Sequence, residues 1–186
     1  LFKEIKIRRP NVLFEPEGKN TFPAICLAAV HLPPASIMVV LPSDHLIRQE
    51  ANFYSAIKFA CELAKRELFV TIGIEPTRIE TQYGYIECGE EIDQERQKAP
   101  EKEPIVAFFG NSFVEKPSAE KAKEYLESKR FLWNSGIFIW RVSLFLEEVA
   151  LHFPDFHSAL LKYQKTIGTT EEREELMLLY RKAPNI

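Results

Sequence analysis

Ile37-Met38-Val39-Val40-Leu41 is a continuous apolar run that stops abruptly at Pro42-Ser43-Asp44-His45. An unbroken apolar run of strand length fits a strand covered on both faces, as in the parallel sheets of α/β proteins. The flanking sequence agrees. A helix is expected from about Ala51 to Arg66, with Phe53, Ile57, Ala60, Cys61 and Ala64 on one face. Leu68 to Ile74 reads as a further strand. Upstream, Val12-Leu13-Phe14 reads as a short strand and Glu15 to Asn20 as a turn. Thr21 opens a helix, with Asn20 or Thr21 as its cap and Pro23 in the first turn. Strand, helix, strand, helix, strand predicts a mostly parallel sheet with right-handed crossovers.

The second half is more mixed. Gly84 to Cys88 and Phe109 to Glu115 read as strands, and Ser118 caps a helix reaching about Ser128. Phe131 to Trp140 reads as a strand interrupted at Asn134-Ser135-Gly136. Val142 to His152 is helical and ends before Pro154. Phe156 to Tyr163 is helical, and Thr169 with Glu172 suggests a capping box for a last helix, about Glu171 to Tyr180. Residues 1–186 fit one truncated domain, with a charged, proline-containing loop or insertion at 90–104.

With 46% hydrophobic and 27% charged residues, the chain can bury a real core. No apolar run approaches the ~20 residues of a membrane span. The net charge of −3 argues against nucleic acid as the main partner, because phosphate backbones need concentrated positive charge. A phosphorylated small molecule remains compatible, since a few cations and backbone N–H groups can hold one. Cys26, Cys61 and Cys88 are odd in number and widely spaced, which fits reduced thiols and a cytoplasmic protein.

Five segments could carry chemistry. Asp44 follows a strand end, where α/β ligands gather; it is either a ligand for a hard cation or a turn residue capping a backbone N–H. The Glu15 to Pro23 loop leads into a helix N-terminus and could hold a phosphate or a base edge, or be an ordinary β-to-α loop. Phe113-Val114-Glu115-Lys116-Pro117 sets a carboxylate beside an ammonium, suited to a sugar hydroxyl and a phosphate or merely a surface ion pair. Trp133-Asn134-Ser135-Gly136 places amide and hydroxyl groups in an aromatic strand, as a sugar site or as a bulge. Tyr83-Gly84-Tyr85 offers a close backbone approach, or a plain strand start.

Taken in order, EPEGKNTFPAI (15–25), VVLPSDHLI (39–47), TQYGYIE (81–87), FVEKP (113–117) and FLWNSGIFIW (131–140) resemble the sugar-1-phosphate nucleotidyltransferases. The likeness is strongest to the bacterial mannose-1-phosphate guanylyltransferases, many of which are fused to a type II phosphomannose isomerase. The resemblance implies a Rossmann-like α/β nucleotidyltransferase fold with a mixed, mostly parallel sheet flanked by helices. It implies Mg²⁺ as cofactor and a reaction of GTP with mannose 1-phosphate that yields GDP-mannose and pyrophosphate, for surface polysaccharide synthesis. Carried over, Asp44 is the metal carboxylate, and Asp44 and Lys116 are catalytic. Glu15, Asn20, Thr21 and Pro23 line the nucleotide. Gly84, Glu115 and Asn134 contact the sugar.

Lys19 stands where the family commonly has Arg, and Phe22 where it has a small Ala, a change expected to reshape the nucleotide pocket. The family's N-terminal glycine-rich triphosphate grip and its downstream second metal aspartate are not in this sequence, so the chain by itself is expected to be catalytically incomplete. The alternatives are a bifunctional protein that also isomerises mannose 6-phosphate and a non-catalytic nucleotide-sugar-binding subunit. Nucleic acid and membranes are not expected partners, and a homodimer stays open.

Overall fold

The computed structural model describes residues 12–92 and 104–184. In chain order the elements are α1 (Thr21–Ala29), β1 (Ile37–Val40), α2 (Glu50–Ala64), β2 (Val70–Ile74), β3 (Gly84–Glu91), β4 (Phe108–Glu115), α3 (Ala119–Ser128), β5 (Phe131–Arg141), α4 (Val142–His152), α5 (Pro154–Gln164) and α6 (Glu172–Lys182). The chain divides into two compact units, one of residues 1–38 and 141–186, the other of residues 39–140. Of the expected loop at 90–104, Glu90 and Glu91 extend β3 and the Ile92 N–H bonds the Ala107 carbonyl at 2.8 Å; residues 93–103 lie outside the described residues.

The first unit is helical. Pro154 both ends α4 and opens α5, because the first helical residue has no N–H to contribute. Phe22 of α1 packs its ring against Phe145, Phe153 and Phe156 at centroid distances of 6.2, 5.0 and 6.1 Å. Its bulk is thus spent on an aromatic cluster with α4 and α5. Cys26 is fully buried, and burial pushes its thiol up to about 12, so it packs as a small apolar group. The other end of α1 is tied down as well. Gln164 donates to the Val30 carbonyl at 3.0 Å, and His31 Nε2 lies 3.1 Å from the Tyr163 hydroxyl.

The capping box expected at α6 takes another form. Glu172 reaches back to the Gly168 N–H at 2.8 Å, while Thr169 Oγ1 bonds the Thr166 carbonyl at 2.7 Å and accepts from the Glu171 N–H at 3.2 Å. Helix α6 therefore begins at Glu172. Val12 to Phe14 is irregular rather than a strand, with Phe14 exposed. Three apolar residues cannot make a strand without a ladder partner, and none pairs with them among the described residues.

The second unit carries most of the sheet. Its order is β1-β5-β3-β4, with β2 also pairing β5. The α/β class is as expected, but the sheet is not mostly parallel. β2 and β3 both run antiparallel to β5, and β4 antiparallel to β3. An apolar run reports burial, not strand direction, and so could not reveal that the long strand β5 opposes its neighbours. Helix α3 is capped as read: Ser118 accepts from the Lys121 N–H.

One sheet face is fixed by aromatic packing. Tyr85 and Trp133 are register partners and are buried with Phe131 and Ala122; Tyr125 of α3 stacks on Phe131 at 3.9 Å. Strand alternation then sends Gly84 and Asn134, one residue removed from each partner, to the opposite face, and Glu115 joins them as the register partner of Gly84.

Candidate functional site

Strands β3 and β4 bring Gly84 and Glu115 together. A Cβ on Gly84 would lie 2.8 Å from Glu115 Oε2 and 2.6 Å from Phe113 Cζ. The carboxylate therefore lies over the Gly84 backbone, and a hydrogen atom is the only side chain that leaves room for it. Lys116 follows with φ +46°, and its N–H bonds the Tyr83 carbonyl at 3.2 Å. A left-handed lysine ahead of a proline is disfavoured by about 1–3 kcal/mol. Such strain is held only where the surroundings over-determine it, here by the ladder on one side and buried Pro117 on the other. Lys116 Nζ lies 3.6 Å from Glu115 Oε1, with both side chains more than half exposed, so the pair contributes little stability and is open to a ligand.

Strand β5 is continuous through Asn134-Ser135-Gly136 rather than interrupted, but it bulges there. Gly136 has φ +71°, and the register against β2 shifts between Thr71 and Gly73. Side chains make up for the lost ladder bonds. Ser135 Oγ donates to the Ile72 carbonyl at 2.6 Å and accepts from the Ile137 N–H at 3.2 Å. Asn134 Oδ1 accepts from Thr71 Oγ1 and from the Gly136 N–H, both at 3.2 Å. Two donors on one oxygen fix the amide plane and leave Nδ2, which has no partner among the described residues, to address a ligand.

Asp44 sits in the turn after β1, exposed and without a hydrogen-bond or ion-pair partner among the described residues. It does not cap a local N–H there. Pro42, two residues earlier, comes within 3.4 Å of where a Cβ on Gly136 would stand, so the turn passes along the β5 bulge. Among the described residues no three His, Cys, Asp or Glu cluster as a metal cage. A single open carboxylate still suits Mg²⁺, which takes one or two carboxylates and completes its shell with water and substrate phosphates.

The residues expected to line the nucleotide belong to the helical unit. Glu15 is exposed, and its Oε1 accepts from the Tyr180 hydroxyl at 3.0 Å. Asn20 is the N-cap residue of α1 with φ +57° and makes no side-chain cap bond; Thr21 is exposed at the first helical position. Pro23 is fully buried, so its side chain shapes the start of the helix from within and does not face a ligand.

Two features escaped the sequence. Arg78 lies over the Trp133 ring at 5.4 Å, and Tyr83 meets the same ring edge-on at 5.4 Å. The Gln82 N–H and then the Arg78 guanidinium hold the Glu80 carboxyl below the usual carboxylate range, and the Tyr85 hydroxyl bonds the Glu80 carbonyl at 2.9 Å. The turn leading to Gly84 is thus preformed. The other feature is Tyr180, which lies too far from Glu15 in sequence for any local pattern to join them. A cavity of about 410 Å³ between α2 and strands β2 and β3 is lined mainly by apolar side chains and by none of the expected site residues.

An Escherichia coli K12 mannose-1-phosphate guanylyltransferase is 40% identical over 162 residues, which is 84% of this chain and 32% of that protein. The chain spans about a third of the curated relatives that it matches. A Thermus thermophilus structure described as a mannose-1-phosphate geranyltransferase superposes with a TM-score of 0.74 at 30% identity, covering 94% of this chain and 47% of that one. A Helicobacter pylori structure described as a mannose-6-phosphate isomerase gives 0.69 at 31% identity, covering 89% and 60%. The nucleotidyl transferase family model matches residues 2–172. That match spans nearly the whole chain, and the chain belongs to the nucleotidyl transferase family.

Proposed function

We propose that the protein carrying this chain is a mannose-1-phosphate guanylyltransferase, forming GDP-mannose and pyrophosphate from GTP and mannose 1-phosphate in the cytoplasm. The observation that carries the proposal is the Glu115 carboxylate lying over Gly84, beside strained Lys116 and on the same sheet face as Asn134. That arrangement offers an acceptor for sugar hydroxyls, a glycine that leaves room for this acceptor, an amide donor and a cation for the sugar phosphate. The relatives supply the choice of mannose and guanine.

A phosphate oxygen of mannose 1-phosphate attacks the α-phosphorus of GTP in line. The new P–O bond forms as the bond to the β-phosphate bridge breaks, and pyrophosphate leaves. Such transfers need positioning and charge neutralisation more than covalent help. Lys116 neutralises the attacking phosphate, Glu115 and Asn134 fix the sugar over Gly84, and Glu15, Asn20 and Thr21 hold the nucleotide. Asp44 would hold Mg²⁺, which when bound neutralises phosphate charge.

The test measures pyrophosphate release from mannose 1-phosphate with GTP, ATP, UTP and dTTP in turn. Turnover with GTP is expected. No release with any triphosphate sinks the enzyme reading, and release with UTP or dTTP alone sinks the guanylyl assignment. The relatives are about three times as long as this chain, which favours a bifunctional protein as a second reading. Conversion of mannose 6-phosphate to fructose 6-phosphate by the same preparation tests it.

A further inference from the structure

We propose that Tyr180 is a positioning residue for nucleotide recognition, which it serves by bracing Glu15 through a phenol-to-carboxylate hydrogen bond. The inference rests on reading Glu15 as a nucleotide-loop carboxylate. Tyr180 is 1% exposed on α6 and donates its hydroxyl to Glu15 Oε1 at 3.0 Å. Residues Glu15 to Asn20 belong to no helix or strand, so no backbone ladder holds them. A glutamate on such a loop must give up rotamer freedom when a ligand arrives, and a buried anchor removes that cost in advance. Tyrosine suits the task because its ring is held by packing while its hydroxyl needs a partner. Burial first, and then the bond to Glu15, push the Tyr180 phenol above its ordinary range, so it stays a donor at any working pH.

The geometry also says what the brace leaves available. The phenol occupies Oε1 only, and Oε2 has no partner among the described residues. A carboxylate that is solely an acceptor matches a base edge carrying adjacent N–H donors, as guanine does, and repels one presenting a ring-nitrogen lone pair there, as adenine does. Holding the carboxylate still therefore sharpens the choice of base as well as affinity.

The experiment is a double-mutant cycle in the protein carrying this chain, with Tyr180→Phe, Glu15→Ala and the pair. Tyr180→Phe is expected to raise KM for GTP about tenfold and to lower the preference for GTP over ATP, leaving kcat and KM for mannose 1-phosphate within about twofold. In the Glu15→Ala background the same change should have no further effect on KM for GTP. An unchanged KM, or equal effects in both backgrounds, overturns the proposal. If the unsubstituted protein turns over no GTP, the guanylyltransferase reading fails by itself, and the brace is judged by urea unfolding of the same four proteins. The two substitutions should then be non-additive in stability, and additive effects overturn the pairing.

Discussion

Glu15 and Glu115 are both exposed carboxylates, and they are held in opposite ways. Glu15 is fixed from a distance by a buried tyrosine on the last helix, so its position depends on how α1 and α4–α6 pack. Glu115 is fixed by its own strand, through its register partner Gly84 and its neighbour Lys116. The contrast separates two kinds of site. In the helical unit, the contact that holds Glu15 belongs to the packing of the fold. At the end of the β3–β4 hairpin, the site side chains hang off a ladder that stands without them, so substitutions there should alter catalysis and leave the melting temperature nearly untouched.

Asp44 is the sharpest test, because it has no partner among the described residues. Asp44→Asn removes the charge and keeps the shape. Turnover should fall by about 10³-fold or more, while stability stays within about 0.5 kcal/mol. Initial rates across a magnesium titration, with thermal melts alongside, measure both. Near-normal turnover would remove Asp44 from the metal site, and a large loss of stability would place it with the braced residues.

Gly84→Ala comes next. The added methyl meets the ends of two flexible, exposed side chains, Phe113 and Glu115, which can swing aside at small cost to the fold. Glu115 would nonetheless be displaced, and misplacing a contact by about 1 Å can cost up to ~10²-fold. KM for mannose 1-phosphate is expected to rise about 10- to 100-fold, with KM for GTP unchanged. Equal rises for both substrates would show that the hairpin is less local in its effects than its ladder suggests.

Sequence carried the local part of this contrast and missed the distant part. Thr21, Ser118 and Pro154 mark helix boundaries through capping and the missing proline N–H, and the structure starts or stops helices at or beside those residues. The strands of the hairpin were legible as the segments from Gly84 to Cys88 and from Phe109 to Glu115. Strand direction was not, since Tyr85 pairs with Trp133 only through tertiary folding. The candidate site was legible as an ordered set of segments, Gly84 among them. That Glu115 lies on Gly84, that Lys116 is strained, and that Tyr180 reaches Glu15 are consequences of register and packing, which no local pattern encodes.

Asn134 combines both behaviours in one side chain, and two substitutions pull them apart. Its oxygen closes the β5 bulge by accepting from Thr71 and Gly136, while its nitrogen is the group that the proposed function assigns to the sugar. Asn134→Ala should cost about 1–2 kcal/mol in urea unfolding and raise KM for mannose 1-phosphate about tenfold. Asn134→Asp keeps the oxygen that accepts both bonds, so stability should stay within about 0.5 kcal/mol, yet it loses the donor and adds repulsion toward the phosphate, so KM should rise at least as much. Loss of stability in both variants would mean that the donor also serves the fold.

The smallest expected effect concerns the far end of α1. Burial lowers the His31 pKa below its usual 6.5, and the nearby Glu172 carboxylate offsets only part of that. The unfolded chain therefore binds a proton at a higher pH than the folded one does. Above about 6.5 both forms are neutral and His31 costs nothing. As pH falls from there through the folded pKa, the unfolded state takes up the proton first and stability declines. Between pH 6.5 and 5 the melting temperature should fall more steeply in the unsubstituted protein than in His31→Gln, by no more than about 2 °C. The imidazole bonds Tyr163, not the Glu15 loop, so KM for GTP should keep the same pH profile in both proteins. A change in that profile would mean that the two ends of α1 act as one brace, and that the helical unit transmits a charge at His31 to the loop that the proposed function assigns to the nucleotide.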